Sequence, residues 1–98
     1  MSEKIKITRG SGNVFRDMGF SKVEAENLRL RSDLMIRIVQ FYRETGMTQA
    51  AAAKMLGLTQ PRLNALLKGR LGQFSLDALV NIASQAGMNV RLVVKKAA

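Results

Sequence analysis

Cysteine and histidine are both absent from this 98-residue chain. Without cysteine there is no disulfide, no thiolate nucleophile and no sulfur ligand for zinc, and without histidine the commonest general base is gone as well. The remaining side chains form no catalytic constellation, so the expectation is a binding protein rather than an enzyme, with no cofactor and no metal. Long apolar runs are also missing. None approaches the ~20 residues that cross a bilayer, and the opening MSEKIKITRG holds no apolar core of signal-peptide length, so a cytoplasmic protein without a membrane partner is expected.

Acidic residues are the third scarcity. Seven Asp and Glu stand against sixteen Lys and Arg, a net charge of +9, and the imbalance is uneven. Up to Glu44 there are nine basic and six acidic residues, whereas from Thr45 onward seven basic residues are opposed by Asp77 alone. Such a field attracts polyanions over a distance without specifying a sequence. Solubility, ribosome proximity or anionic lipid would account for charge by itself; charge coinciding with a binding motif favours nucleic acid. The length fits one domain with a modest core.

The motif is the stretch Thr48 to Arg70, TQAAAAKMLGLTQPRLNALLKGR. Thr48 is suited to cap a helix that starts at Gln49 and runs through alanines to Leu56, and Gly57 ends it. After Leu58, Thr59 or Gln60 starts a second helix with Pro61 in its first turn, where the missing N–H costs nothing. Ala52, Ala53, Leu56, Leu58, Leu63 and Leu66 then face each other across a tight turn, with alanine where backbones approach closely. The unit reads as a helix-turn-helix.

Gln49, Ala53, Gly57, Leu58, Leu63 and Leu66 together resemble the signature of lambda-repressor-like (Cro/C1, or XRE) DNA-binding domains, over about two dozen residues. More softly, SGNVFRDMGF, QPRLNALLKGRLGQFSLDAL and GMNVRLVVKK resemble the small bacterial XRE proteins related to HigA-type antitoxins. The resemblance implies a mainly α fold, a bundle of about four to five helices, here with a short C-terminal β-strand. It also implies double-stranded DNA as the partner, a homodimer, nucleoid association and, as a further partner, a small ribonuclease-type toxin.

In that family the second motif helix enters the major groove and the first lies across the backbone. Gln60 is then the best direct reader, its amide matching adenine N6 and N7; Arg62 would pair with guanine or with phosphate, and Pro61 and Ala65 are limited to a thymine methyl. Gln49 resembles the family's phosphate-clamping glutamine, with Thr48, Thr59, Asn64, Lys68 and Arg70 as further backbone contacts. The plainer reading makes Thr59 and Gln60 caps and Arg62 and Lys68 a soluble face. With so few strong readers, specificity would lean on shape and dimerisation.

Around the motif, residues 1–20 read as an N-terminal arm with a short apolar turn, 21–87 as the DNA-binding domain and 88–98 as a C-terminal strand. In the arm, Lys4 to Thr8 alternates as a strand would, although a solvated tail is the simpler reading; its lysines and Arg9 would suit a minor groove. Val14, Phe15, Met18 and Phe20 are expected to pack on the helical body, the alternative being a partner-protein patch. Ser21 and Glu24 form a capping box for a helix running to Thr45, stopped by Gly46, with Leu30, Leu34, Ile38 and Phe41 as its buried stripe beside Met35 and Tyr42. Arg29, Arg31, Arg37 and Arg43 are expected on a solvated face, paired with Glu26, Asp33 and Glu44. Ser75 and Asp77 open another helix, buried through Leu76, Leu79, Val80, Ile82 and Ala83 and ended by Gly87. Val90, Leu92 and Val94 then alternate as a strand that needs either Lys4–Thr8 or a second subunit; the second closes a two-fold dimer and is preferred.

The functional expectation is a sequence-specific transcriptional regulator, antitoxin-like and repressing its own operon. The alternative is an antitoxin whose main task is neutralising its toxin. An acidic segment suited to a basic nuclease would mark the alternative, and none is evident.

Overall fold

The computed structural model describes residues 13–96, and within them five α-helices and one 3-10 turn follow in order. They are α1 (Val14–Asp17), α2 (Lys22–Thr45), α3 (Gln49–Leu56), α4 (Gln60–Leu67), the 3-10 turn Leu71–Gln73 and α5 (Leu76–Gln85). Each boundary has a local cause. Ser21 Oγ accepts the Glu24 N–H at 3.1 Å while the Glu24 carboxylate accepts the Ser21 N–H at 3.4 Å, the reciprocal pair that opens α2. Thr48, Thr59 and Ser75 cap α3, α4 and α5 through the N–H groups of Ala51, Arg62 and Ala78.

Between α3 and α4 the chain reverses in three residues. Gly57 takes φ +72°, a left-handed value that costs glycine least, and Leu58 donates its N–H back to the Ala53 carbonyl at 2.8 Å. That bond satisfies a carbonyl the end of α3 would otherwise leave open, and it turns Leu58 onto the core.

One core gathers all the longer helices. Met35 and Ile38 from α2, Ala52, Ala53 and Leu56 from α3, Leu63, Ala65 and Leu66 from α4, and Leu79, Ile82 and Ala83 from α5 are buried around Phe74. No polar or charged residue among those described is buried. The α2 stripe is broader than the spacing predicts, since Ala25, Met35 and Ile38 are its fully buried members while Leu30, Leu34 and Phe41 are half-buried. A helix contacted by α1 on one side and by α4 and α5 on others presents more than one narrow face.

Three expectations are corrected. The C-terminal strand does not form: no strand occurs among the described residues, and Val90, Leu92 and Val94 are exposed along an irregular tail. An extended segment needs a second strand for its N–H and C=O groups, and the single chain offers none among the described residues; the candidate within the chain, Lys4–Thr8, lies outside them. The patch in α1 is only partly packed. Phe15 is half-buried and meets Phe20 edge-to-face at 6.3 Å, but Val14, Met18 and Phe20 remain exposed.

Arg31 is the third correction. It is a structural tie rather than part of a solvated face: Nη1 donates to the carbonyls of Leu71 and Phe74, both at 3.1 Å, and Nε donates to Asn27 at 2.7 Å. It fastens the 3-10 turn to α2. Arg29 is paired as expected, with Glu26 at 2.6 Å and Asp33 at 3.3 Å. Its hydrogen bond holds the Glu26 carboxyl below its ordinary value, burial working against this and the charges of Arg29 and Lys22 adding to it. A carboxyl lowered in the folded state stabilises the fold at neutral pH and loses that contribution as acid carries the solution through its folded value. Glu26 is exposed and Arg29 only partly covered, so the effect is small.

No helix of the described residues is long and apolar enough to cross a membrane. A Cβ at Gly57 would meet only the Gln85 side chain, at 4.0 Å, so the cost of Gly57→Ala is that of the left-handed backbone. The expected loss is about 1–2 kcal/mol in urea unfolding; an unchanged midpoint would mean that the turn does not depend on a left-handed residue.

Candidate nucleic-acid interface

Six of the eight residues of α4 are either buried or exposed, and Arg62 and Leu67 lie between. Leu63 and Leu66 are fully buried in the core shared with α2 and α3, while Gln60, Pro61 and Asn64, and Lys68 just past the helix end, are exposed. Gln60, Asn64 and Lys68 follow one another at intervals of four residues, which places them on one helical face with Pro61 at its leading edge. Pro61 sits in the first turn, where no helix partner is needed for its missing N–H. The face is polar and uncharged at its start and basic at its end.

A second set flanks it. Thr48 caps α3 and Gln49 is its first residue, both exposed, beside the N–H groups of a helix start. Thr59 is exposed too, its hydroxyl oxygen occupied by the Arg62 N–H at 3.2 Å. Lys68 and Arg70 leave the C-terminal end of α4 and are exposed. Between Thr45 and Leu76 the chain carries Lys54, Arg62, Lys68 and Arg70 and no acidic residue, so the two helices stand in a field of one sign.

Two predicted readers are placed differently from the rest. Ala65 is buried at 8% exposure and belongs to the core cluster, which corrects its assignment to a thymine methyl. The reason is geometric. By helical spacing Ala65 borders Pro61 and Lys68, but its single methyl stays close to the helix axis and within the core cluster; the Arg70 N–H that meets the Ala65 carbonyl at 3.1 Å, with the Gly69 N–H on Leu66, closes the C-terminal end of α4. Arg62 is half-buried, its guanidinium carbon 4.2 Å from the centre of the Phe74 ring and its Nη1 donating to the Gln73 carbonyl at 2.8 Å.

Sequence reasoning overlooked Phe74, which is 1% exposed. A signal for it existed. Phe74 precedes the Ser75 cap and Leu79 stands at the fourth helical position, the spacing of a hydrophobic staple, and both are buried in the same core. Nothing local announced the tie made by Arg31, whose two carbonyl partners lie 40 and 43 residues away. No group of residues suited to a metal ion occurs among those described.

A helix with a polar outer face, held at a tight turn against a second short helix and surrounded by positive charge, defines a DNA-binding domain of the helix-turn-helix class. Residues 14–95 match the family described as helix-turn-helix domain, and the chain belongs to that family. No curated protein matches the chain at a significant level.

The burial of Ala65 has a direct consequence. Ala65→Leu adds volume to a packed interior and is expected to lower unfolding free energy by about 1–3 kcal/mol in denaturant titration. A variant as stable as the parent would show that this side chain faces solvent.

Proposed function

We propose that this protein is a sequence-specific DNA-binding transcriptional regulator of the XRE type, a homodimer that represses its own operon from the cytoplasm, with residues 21–87 as its binding domain. The observation that carries this reading is the exposed Gln60–Asn64–Lys68 face of α4, supported from beneath by Leu63 and Leu66 and free of nearby acidic residues in sequence. In this reading Gln60 reads adenine through its two-way amide, and Pro61 contributes at most an apolar contact beside it. Gln49, with Thr48, Thr59 and Asn64, meets phosphates at the helix starts, while Lys68 and Arg70 neutralise phosphates past the end of α4. One strong reader per subunit makes a second subunit valuable, because two half-sites on one duplex double the sequence read.

An antitoxin-like role is the second reading. What supports it is apolar surface left open: Val14, Met18, Phe20 and Val23 are exposed, and a groove of about 570 Å³ is lined by Phe15, Met35, Ile36, Val39, Leu66 and Leu71 among others. Co-expression with the product of an adjacent reading frame, followed by co-purification and loss of that product's toxicity, tests it; an adjacent frame with no toxic product removes it.

Selection of bound duplexes from a random pool at stated salt tests the first reading. The expected outcome is an enriched, two-fold symmetric sequence with half-sites about one helical turn apart; recovery of unenriched DNA would overturn it. Gln60→Ala is expected to cost about 1–3 kcal/mol on the selected site and to relax preference at one base pair, whereas equal losses on scrambled DNA would remove Gln60 as a reader. Lys68→Ala and Arg70→Ala should each weaken all duplexes similarly and lower the slope of log affinity against log salt by about one. An unaltered slope takes that residue out of the interface.

A further inference from the structure

Two arginines from different helices grip the same four residues. Arg31 of α2 donates to the carbonyls of Leu71 and Phe74, and Arg62 of α4 donates to the carbonyl of Gln73 at 2.8 Å while lying over the Phe74 ring at 4.2 Å. The Phe74 ring is in the core. Arg62 is also the residue whose N–H the Thr59 cap binds, so the first turn of α4 is fixed by the cap on one side and by the 3-10 turn on the other.

We infer that Arg62 is a positioning residue that clamps the start of the recognition helix to the Leu71–Phe74 turn, and not a group that reads bases or neutralises phosphate. A reader must aim its planar fork outward at a base edge. Here one face of the fork covers an aromatic ring and one of its nitrogens is occupied by a backbone carbonyl. Leaving that site for a duplex would forfeit both contacts, and the chain supplies Lys68 and Arg70, exposed and without such ties, for phosphate. Through Phe74 and the turn, the clamp links the helix carrying Gln60 to the Arg31 anchor on α2.

The inference rests on the DNA-binding reading for its affinity measurements alone; melting measurements need no DNA. Arg62→Met, Arg62→Lys, Phe74→Leu and the double variant Arg62→Met with Phe74→Leu are compared with the parent on the selected duplex and on scrambled DNA. A clamp predicts about a three- to tenfold loss for Arg62→Met on both duplexes, an unchanged salt slope, and a loss for Arg62→Lys equal to that for Arg62→Met, because an ammonium lacks the planar fork. It also predicts coupling, the double variant melting no lower than the lower-melting single variant. A salt slope reduced by one and restored by Arg62→Lys would overturn the clamp in favour of phosphate contact. Altered preference at one base pair in Arg62→Met, absent from Phe74→Leu, would overturn it in favour of base reading, as would additive melting losses. Should Phe74→Leu fail to fold, the comparison of lysine with methionine at position 62 decides alone. A parent that binds no duplex would fail the DNA-binding reading while leaving the melting test of the clamp intact.

Discussion

An eight-residue helix has too few hydrogen-bonded turns to persist in water, and the helix-turn-helix of this protein is made of two of them. Their shape therefore depends on what they bury. Ala52, Ala53 and Leu56 on α3 close against Leu63 and Leu66 on α4, and Met35, Ile38, Leu79 and Ile82 complete the enclosure from α2 and α5. Small side chains let the helices approach, the left-handed Gly57 sets the turn between them, and the leucines supply most of the apolar area removed from water. The outward face of α4 is a consequence: with Leu63 and Leu66 committed to the interior, Gln60, Asn64 and Lys68 have to point away.

Among the described residues, all the charge lies outside this core. That economy suits a domain whose interior is small, because an unpaired charge taken from water would cost more than so modest a core supplies. Arginine works at the boundary instead. Arg31 and Arg62 reach over the surface to carbonyls of the Leu71–Phe74 turn, which by itself closes only the Phe74 N–H to Leu71 carbonyl bond, and the planar fork does this where an ammonium would hold one point. The basic excess thus has two parts, one structural and one available to a polyanion. Net charge in the sequence does not distinguish them.

Much of the local structure was legible in the chain because its causes are local. The Ser21–Glu24 capping box, the Thr48, Thr59 and Ser75 caps and the glycine stop at position 57 each require only neighbours within a few residues, and each element begins or ends where those signals fall. The motif core followed from helical spacing in the same way. The site was legible in part: the exposure of Gln60, Pro61, Asn64, Lys68 and Arg70 agrees with their spacing, while Ala65 borders that face by spacing and is nonetheless buried in the core cluster. Val90, Leu92 and Val94 had the period of a strand, yet a period states what a segment would do given a partner and does not supply one.

The order of residues alone determined which segments are helical, where they start and stop, and which side of each is apolar, because caps, turns and periodicity act over one or two turns of chain. Only the tertiary structure decided which polar residues are free. Arg31 and Arg62 look in sequence like their neighbours on a soluble face, and they differ because folding brings the Leu71–Phe74 turn, distant along the chain from Arg31 and across a loop from Arg62, within reach of their guanidinium groups. Contacts of that kind depend on where whole helices sit relative to one another, and that placement is fixed by the shared core rather than by any short stretch of it.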